Sequence, residues 1–81
     1  MMLTGEQIRA ARALARMDQA TLATNSGLSL PTVKRLEGQV GPISANTSTE
    51  AALRAAFEAA GVILIDENGQ GPGVRLRKSS V

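Results

Sequence analysis

QATLATNSGLSLPTVKRLEG, Gln19 to Gly38, holds two short runs of inward-facing residues separated by a single glycine. Asp18 is a suitable N-cap for the first run, Gln19 to Asn25, in which Leu22 and Ala23 face inward. Thr21 and Thr24 give this helix weak intrinsic propensity, so it depends on packing. Gly27 stops it, because glycine accepts the positive φ that follows a last helical turn. Ser29 caps the second run, Leu30 to Glu37. Pro31 is tolerated there, since a first-turn N–H has no intrahelical acceptor. Gly38 ends it. Val33 and Leu36, spaced i, i+3, plug the crossing between the two helices, and Ala23 is small enough to let them approach closely. Leu30, Pro31, Lys34 and Arg35 are then expected along one exposed ridge.

The rest of the chain frames this pair. Thr4-Gly-Glu-Gln7 is a capping-box pattern that opens a first helix. Ile8, Ala11, Leu14 and Ala15 form its inward stripe, and Arg9, Arg12 and Arg16 lie mostly off it. Residues 39–46 form a connection rich in Gly, Pro, Ser and Asn. Thr47-Ser-Thr-Glu50 reads as a second capping box, opening a helix to about Ala60 with Leu53, Ala56, Phe57 and Ala60 on one face and Gly61 as its stop. The period then changes. Val62 to Ile65 reads as a buried strand, and Val74 to Arg77 alternates apolar and basic residues. Val74 and Leu76 are expected to face in and Arg75 and Arg77 out. Two such strands are marginal alone, so the hairpin must pack on a helix or on a second copy. Lys78 to Val81 is expected to fray. The fold expected is mainly α, a bundle of about four helices with a short C-terminal β-hairpin.

DENGQGPG, residues 66–73, could suggest ligand chemistry, but reads as a turn. Asp66, Asn68 and Gln70 alternate as in a calcium loop, yet the twelfth position from Asp66 is Arg77, where a bidentate glutamate is required. Its glycines do not open a helix as a phosphate-binding loop does.

Composition excludes more than it specifies. Eighty-one residues make one domain with a small aliphatic core containing one aromatic, Phe57, so dimerisation is a natural way to bury more surface. The chain has no cysteine and no histidine. There is accordingly no disulfide framework, no thiolate or imidazole metal site, and no Ser/His or Cys/His arrangement. The expectation is a protein that is not an enzyme and carries no cofactor or metal. The longest apolar run, Val62 to Ile65, is too short to cross a membrane, and no signal-peptide pattern opens the chain. A cytoplasmic location is expected. Residues 1–45 carry five cations against three carboxylates, whereas residues 46–81 carry four of each, so the formal +2 lies in the first half. That suits a polyanion partner without requiring one.

Two helices joined by a glycine-containing turn have the geometry of a helix-turn-helix, whose second helix suits the DNA major groove. Gln19 to Gly38 resembles that motif in the lambda-repressor-like (Cro/XRE) family of bacterial and phage regulators. The matching positions are Gln19, Ala23, Gly27, Ser29, Val33, Leu36, Glu37 and Gly38, and the resemblance covers roughly residues 4–60. It implies that Gln19 and Ser29 meet backbone phosphate. It implies that Leu30, Pro31, Thr32 and Arg35, with Lys34 at their margin, read base edges. It also implies that Arg12 is held by Glu37 while facing phosphate; a purely structural ion pair is the compatible alternative. Lys34 and Arg35 read otherwise as a solvated face, and Leu30 and Pro31 as plain first-turn residues. Arg9 and Arg16 read as solvated. The chain departs from the family in three ways. Leu30 and Pro31 stand where some members have glutamine-type readers, Asp18 stands where serine is common, and a hairpin replaces the usual fifth helix. Small bacterial proteins resembling this one share the "GV…IDENG…GPGVRLR" ending.

The function expected is therefore a sequence-specific double-stranded DNA-binding transcriptional regulator, a repressor or activator, acting as a homodimer. Residues 1–61 would form the DNA-binding part, and residues 62–81 the dimerisation element, with the outer face of residues 47–60 contributing. Control would come from promoter occlusion or from contact with RNA polymerase. The alternative is a protein-interaction module, antitoxin-like or a co-regulator subunit, holding a partner protein through the hairpin and final helix.

Overall fold

In a computed structural model, described here for residues 2–77, four helices precede an antiparallel hairpin. They are α1 (Gly5–Ala15), α2 (Gln19–Ser26), α3 (Leu30–Glu37) and α4 (Thr47–Ala59), followed by β1 (Val62–Ile65) and β2 (Gly73–Leu76). The tail expected to fray, Lys78 to Val81, lies outside the described residues.

Helix starts follow from side-chain oxygens placed to meet orphan amides. Thr4 Oγ1 accepts from Gln7 N at 3.0 Å while Gln7 Oε1 accepts from Thr4 N at 2.9 Å, the reciprocal pair expected for α1. Asp18 accepts from Thr21 N at 2.7 Å, and Ser29 from Thr32 N at 3.2 Å. The opening of α4 corrects the sequence expectation. Asn46, not Thr47, is the N-cap, its Oδ1 accepting from Thr49 N at 2.8 Å. Asn is among the best N-caps, so the start moves one residue earlier. Glu50, released from a capping role, accepts from Leu3 N at 3.0 Å and ties the N-terminal segment to α4.

Gly27 closes α2 at φ 74°, as its place after the last turn requires. The chain leaves α1 differently: Arg16 itself takes the left-handed conformation at φ 54°. The core joins all six elements. Phe57, Leu3, Ile8, Leu22, Leu36, Leu53, Val33 and Val62 are its largest fully buried side chains. Leu3 belongs to no helix or strand; it is pinned where Ile43 N donates to Leu3 O at 2.9 Å and Thr4 pairs with Pro42.

The hairpin pairs Val62 with Leu76, Ile63 with Arg75, Leu64 with Val74 and Ile65 with Gly73. It packs on α1 and α4, as two strands must if they are to persist. Val62 is buried, and Leu64 and Val74 pack against the core. Leu76, expected to face in, is 52% exposed although its cross-strand partner Val62 is buried, so the core covers the β1 side of this pair and leaves the β2 side half open. Gln7 locks this joint. Its buried Nε2 donates to Ile65 O at 2.9 Å and to Gly73 O at 3.1 Å, so one carboxamide clamps both strands to α1. Arg54 adds a second tie, meeting Asp66 at 2.8 Å and Glu50 at 3.4 Å.

Candidate functional site

The outward side of α3 is set by what its inward side must bury. Val33, Leu36 and Glu37 are buried, which leaves Pro31, Lys34 and Arg35 exposed. Ser29, also exposed, donates its hydroxyl to Thr32 Oγ1 at 2.8 Å, so the two hydroxyls form one polar group at the helix start. Leu30 departs from the expected ridge. It is half-buried and packs against the core. Residues 30 and 33 are three apart and share a helix face with 36 and 37, so Leu30 extends the packing stripe. Arg35 reaches only a long contact, Nη1 to Ser44 O at 3.4 Å, and stays at the surface.

Beneath this surface lies a polar cluster built from three helices. Arg12 of α1 meets Glu37 of α3 in a two-pronged pair, Nε to Oε2 at 2.7 Å and Nη2 to Oε1 at 2.8 Å. That fork-to-fork geometry is the strong form of the Arg–carboxylate bond. Arg12 Nη1 also donates to Met17 O at 2.9 Å, fixing the turn between α1 and α2. Gln19, the first residue of α2, donates Nε2 to Glu37 Oε1 at 2.9 Å. Arg9, read from sequence as solvated, donates Nη1 to the Glu37 carbonyl. Burial alone would raise a carboxyl pKa, but Arg12 and then Gln19 outweigh it and hold Glu37 below its ordinary range. The carboxylate in turn raises Arg12.

Arg12, Gln19 and Glu37 are thus brought together at the C-terminal end of α3, while Ser29, Pro31, Lys34 and Arg35 are exposed along its length. Arg12 keeps 23% of its side chain accessible, and Gln19 is half-exposed, so both donors reach the surface while bound to Glu37. Sequence reading missed Gln7 as the hairpin clamp and Arg9 as a ligand of the Glu37 backbone. Nothing local marks either partner, since each lies 28 or more residues away.

Among the described residues, no group of three or more acidic side chains is arranged to hold a metal ion, and no helix is long and apolar enough to cross a membrane. The chain matches no protein-family model and no curated protein sequence.

Proposed function

We propose that α2 and α3 act as a helix-turn-helix of the lambda-repressor-like kind, and that the protein is a sequence-specific, double-stranded DNA-binding transcriptional regulator working as a homodimer. One observation carries this reading. The helix whose inner side holds Val33, Leu36 and Glu37 presents Pro31, Lys34 and Arg35 to solvent, with the Ser29–Thr32 hydroxyl pair at its N-terminus. A short basic ridge on a helix braced from behind is the form that enters a major groove.

In this assignment Arg35 and Lys34 address guanine edges or flanking phosphate, and Thr32 and Pro31 sit against the bases. Ser29 and the α2 N-terminus, with Gln19 and Arg12, address the backbone. Leu30 serves chiefly to seat α3. Self-association draws support from apolar surface that the single chain leaves uncovered: Leu76 is 52% exposed, and Ile63 and Ile65 are half-buried but outside the packed core. A domain of this size gains most from covering such surface with a second copy.

Selection of bound duplexes from a random pool, read beside sedimentation equilibrium, tests both parts. The expected result is an enriched near-palindrome with half-sites about one helical turn apart, bound by a dimer. An unenriched pool, with a partner protein co-purifying at fixed stoichiometry, would instead make this scaffold a protein-interaction module.

A further inference from the structure

The turn between β1 and β2 carries an asparagine followed by a glycine, surrounded by groups arranged for chemistry on that pair. Asn68 and Gly69 are both exposed. Gly69 N donates to Glu67 Oε2 at 2.7 Å, so the one backbone nitrogen able to close a five-membered ring on Asn68 already shares its proton with a carboxylate. That is the reach required of a general base. Gly71 N also donates to Glu67 Oε2, at 3.1 Å, and holds the carboxylate there. Asp66 does not compete for this role, because Arg54 holds it at 2.8 Å. On the electrophile, Gln70 N donates to Asn68 Oδ1 at 3.2 Å, close to where an oxyanion-stabilising donor must stand. At Gly69, φ is 96° and nothing beyond its two chain neighbours lies within 4 Å of where a Cβ would be, so the position opens to solvent.

From this constellation we propose that Asn68 is a self-modifying site, converted through a succinimide to aspartate and isoaspartate with Glu67 as general base. Glu67 takes the proton of Gly69 N, and the nitrogen attacks Asn68 Cγ. The new N–Cγ bond pushes the carbonyl pair onto Oδ1, where Gln70 N–H meets it. Collapse breaks the Cγ–Nδ2 bond, and the proton held by Glu67 leaves with the nitrogen as ammonia. Water then opens the ring. Cleavage at Cγ yields aspartate, and cleavage at the backbone carbonyl yields isoaspartate, which adds a methylene to the main chain of the turn. The net change is hydrolysis of an amide, with no oxidant or reductant. It adds one negative charge to a turn that already holds Asp66 and Glu67. The step is independent of any DNA-binding role.

The test is ageing of the full chain at neutral pH, followed by peptide mass mapping and isoaspartate detection. The expected result is conversion at residue 68, with Asn25 and Asn46 unchanged as internal references. Glu67→Gln, which retains an acceptor for Gly69 N but not the basicity, should slow the conversion on the order of tenfold or more. The folded chain should also convert faster than the same chain unfolded in guanidinium. Equal rates for Glu67→Gln and the parent, or slower conversion in the folded chain than in the unfolded one, overturns the proposal.

Discussion

Gln19 donates a side-chain hydrogen to Glu37 Oε1 across 2.9 Å, so the first residue of α2 is fastened to the last residue of α3. Arg12 completes the joint from α1 with its two-pronged contact to the same carboxylate. Three helices therefore meet on one buried charge. Removing that charge with Glu37→Ala is expected to cost about 2 kcal/mol, less than for a fully buried pair because Arg12 keeps contact with water. Urea denaturation followed by circular dichroism measures it. A loss no larger than that of an exposed ion pair would deny the cluster its structural role.

The same carboxylate predicts a pH dependence. Its folded-state pKa lies below the ordinary value of 4.5, chiefly through Arg12 and then Gln19. Between the folded and ordinary values the unfolded chain binds more protons, so stability is complete above 4.5 and is lost as pH falls through the folded value. Backbone amides lower Asp18 and Glu6 as well, and these act in the same direction. Thermal midpoints should therefore drop on acidification below 4.5, and Glu37→Gln should flatten part of that drop. An unchanged slope in the variant would contradict the assignment.

Gln7→Glu replaces two donated hydrogen bonds, to Ile65 O and Gly73 O, with a carboxylate facing two carbonyl oxygens. The expected loss is about 3 kcal/mol, concentrated in the hairpin. Amide hydrogen exchange should show β1 and β2 opening before the helices.

Gly5 stands where α1 starts against the end of α3. An added Cβ would lie 2.0 Å from Gln39 O and 3.1 Å from Leu36 O, both backbone atoms that have little freedom to yield. Gly5→Ala should cost about 2 kcal/mol or more despite alanine's better helix propensity. A neutral or stabilised variant in the same urea titration would disprove this close approach.

Arg16 adopts a left-handed backbone at φ 54° and ψ 44°, where its Cβ is crowded. Arg16→Gly is expected to raise stability by about 0.5–1 kcal/mol, visible as a higher melting midpoint.

On duplexes recovered by selection, Arg35→Ala should cost about 1–3 kcal/mol and relax preference at one base position. Lys34→Ala, if it meets phosphate, should weaken all sequences alike and reduce the salt slope by about one. Fluorescence anisotropy across a salt series separates these two signatures. Loss of neither affinity nor preference in both variants would turn the search for a partner away from this face.

Much of the architecture was legible because its signals are local. Thr4, Asp18 and Ser29 announce helix starts through oxygens that reach amides three residues on, and Gly27 announces a stop through its φ. Even the error at α4 was local: Asn46 and Thr47 compete for one cap, and the amide oxygen of Asn46 wins. Arg12 and Glu37 could be paired from the family resemblance, but the share taken by Gln19 and Arg9 could not. Those contacts depend on how three helices cross.

Taken alone, the order of residues determined where α1, α2 and α3 begin, which side of most elements is apolar, and that no thiol or imidazole chemistry is available. Tertiary packing decided that Leu30 turns inward, that Gln7 spans 58 and 66 residues to clamp the hairpin, and that Leu76 stays half-exposed. The division has a physical cause. Caps and periodicity act within one helical turn, whereas a buried donor or a half-covered leucine is fixed only when distant segments close around it.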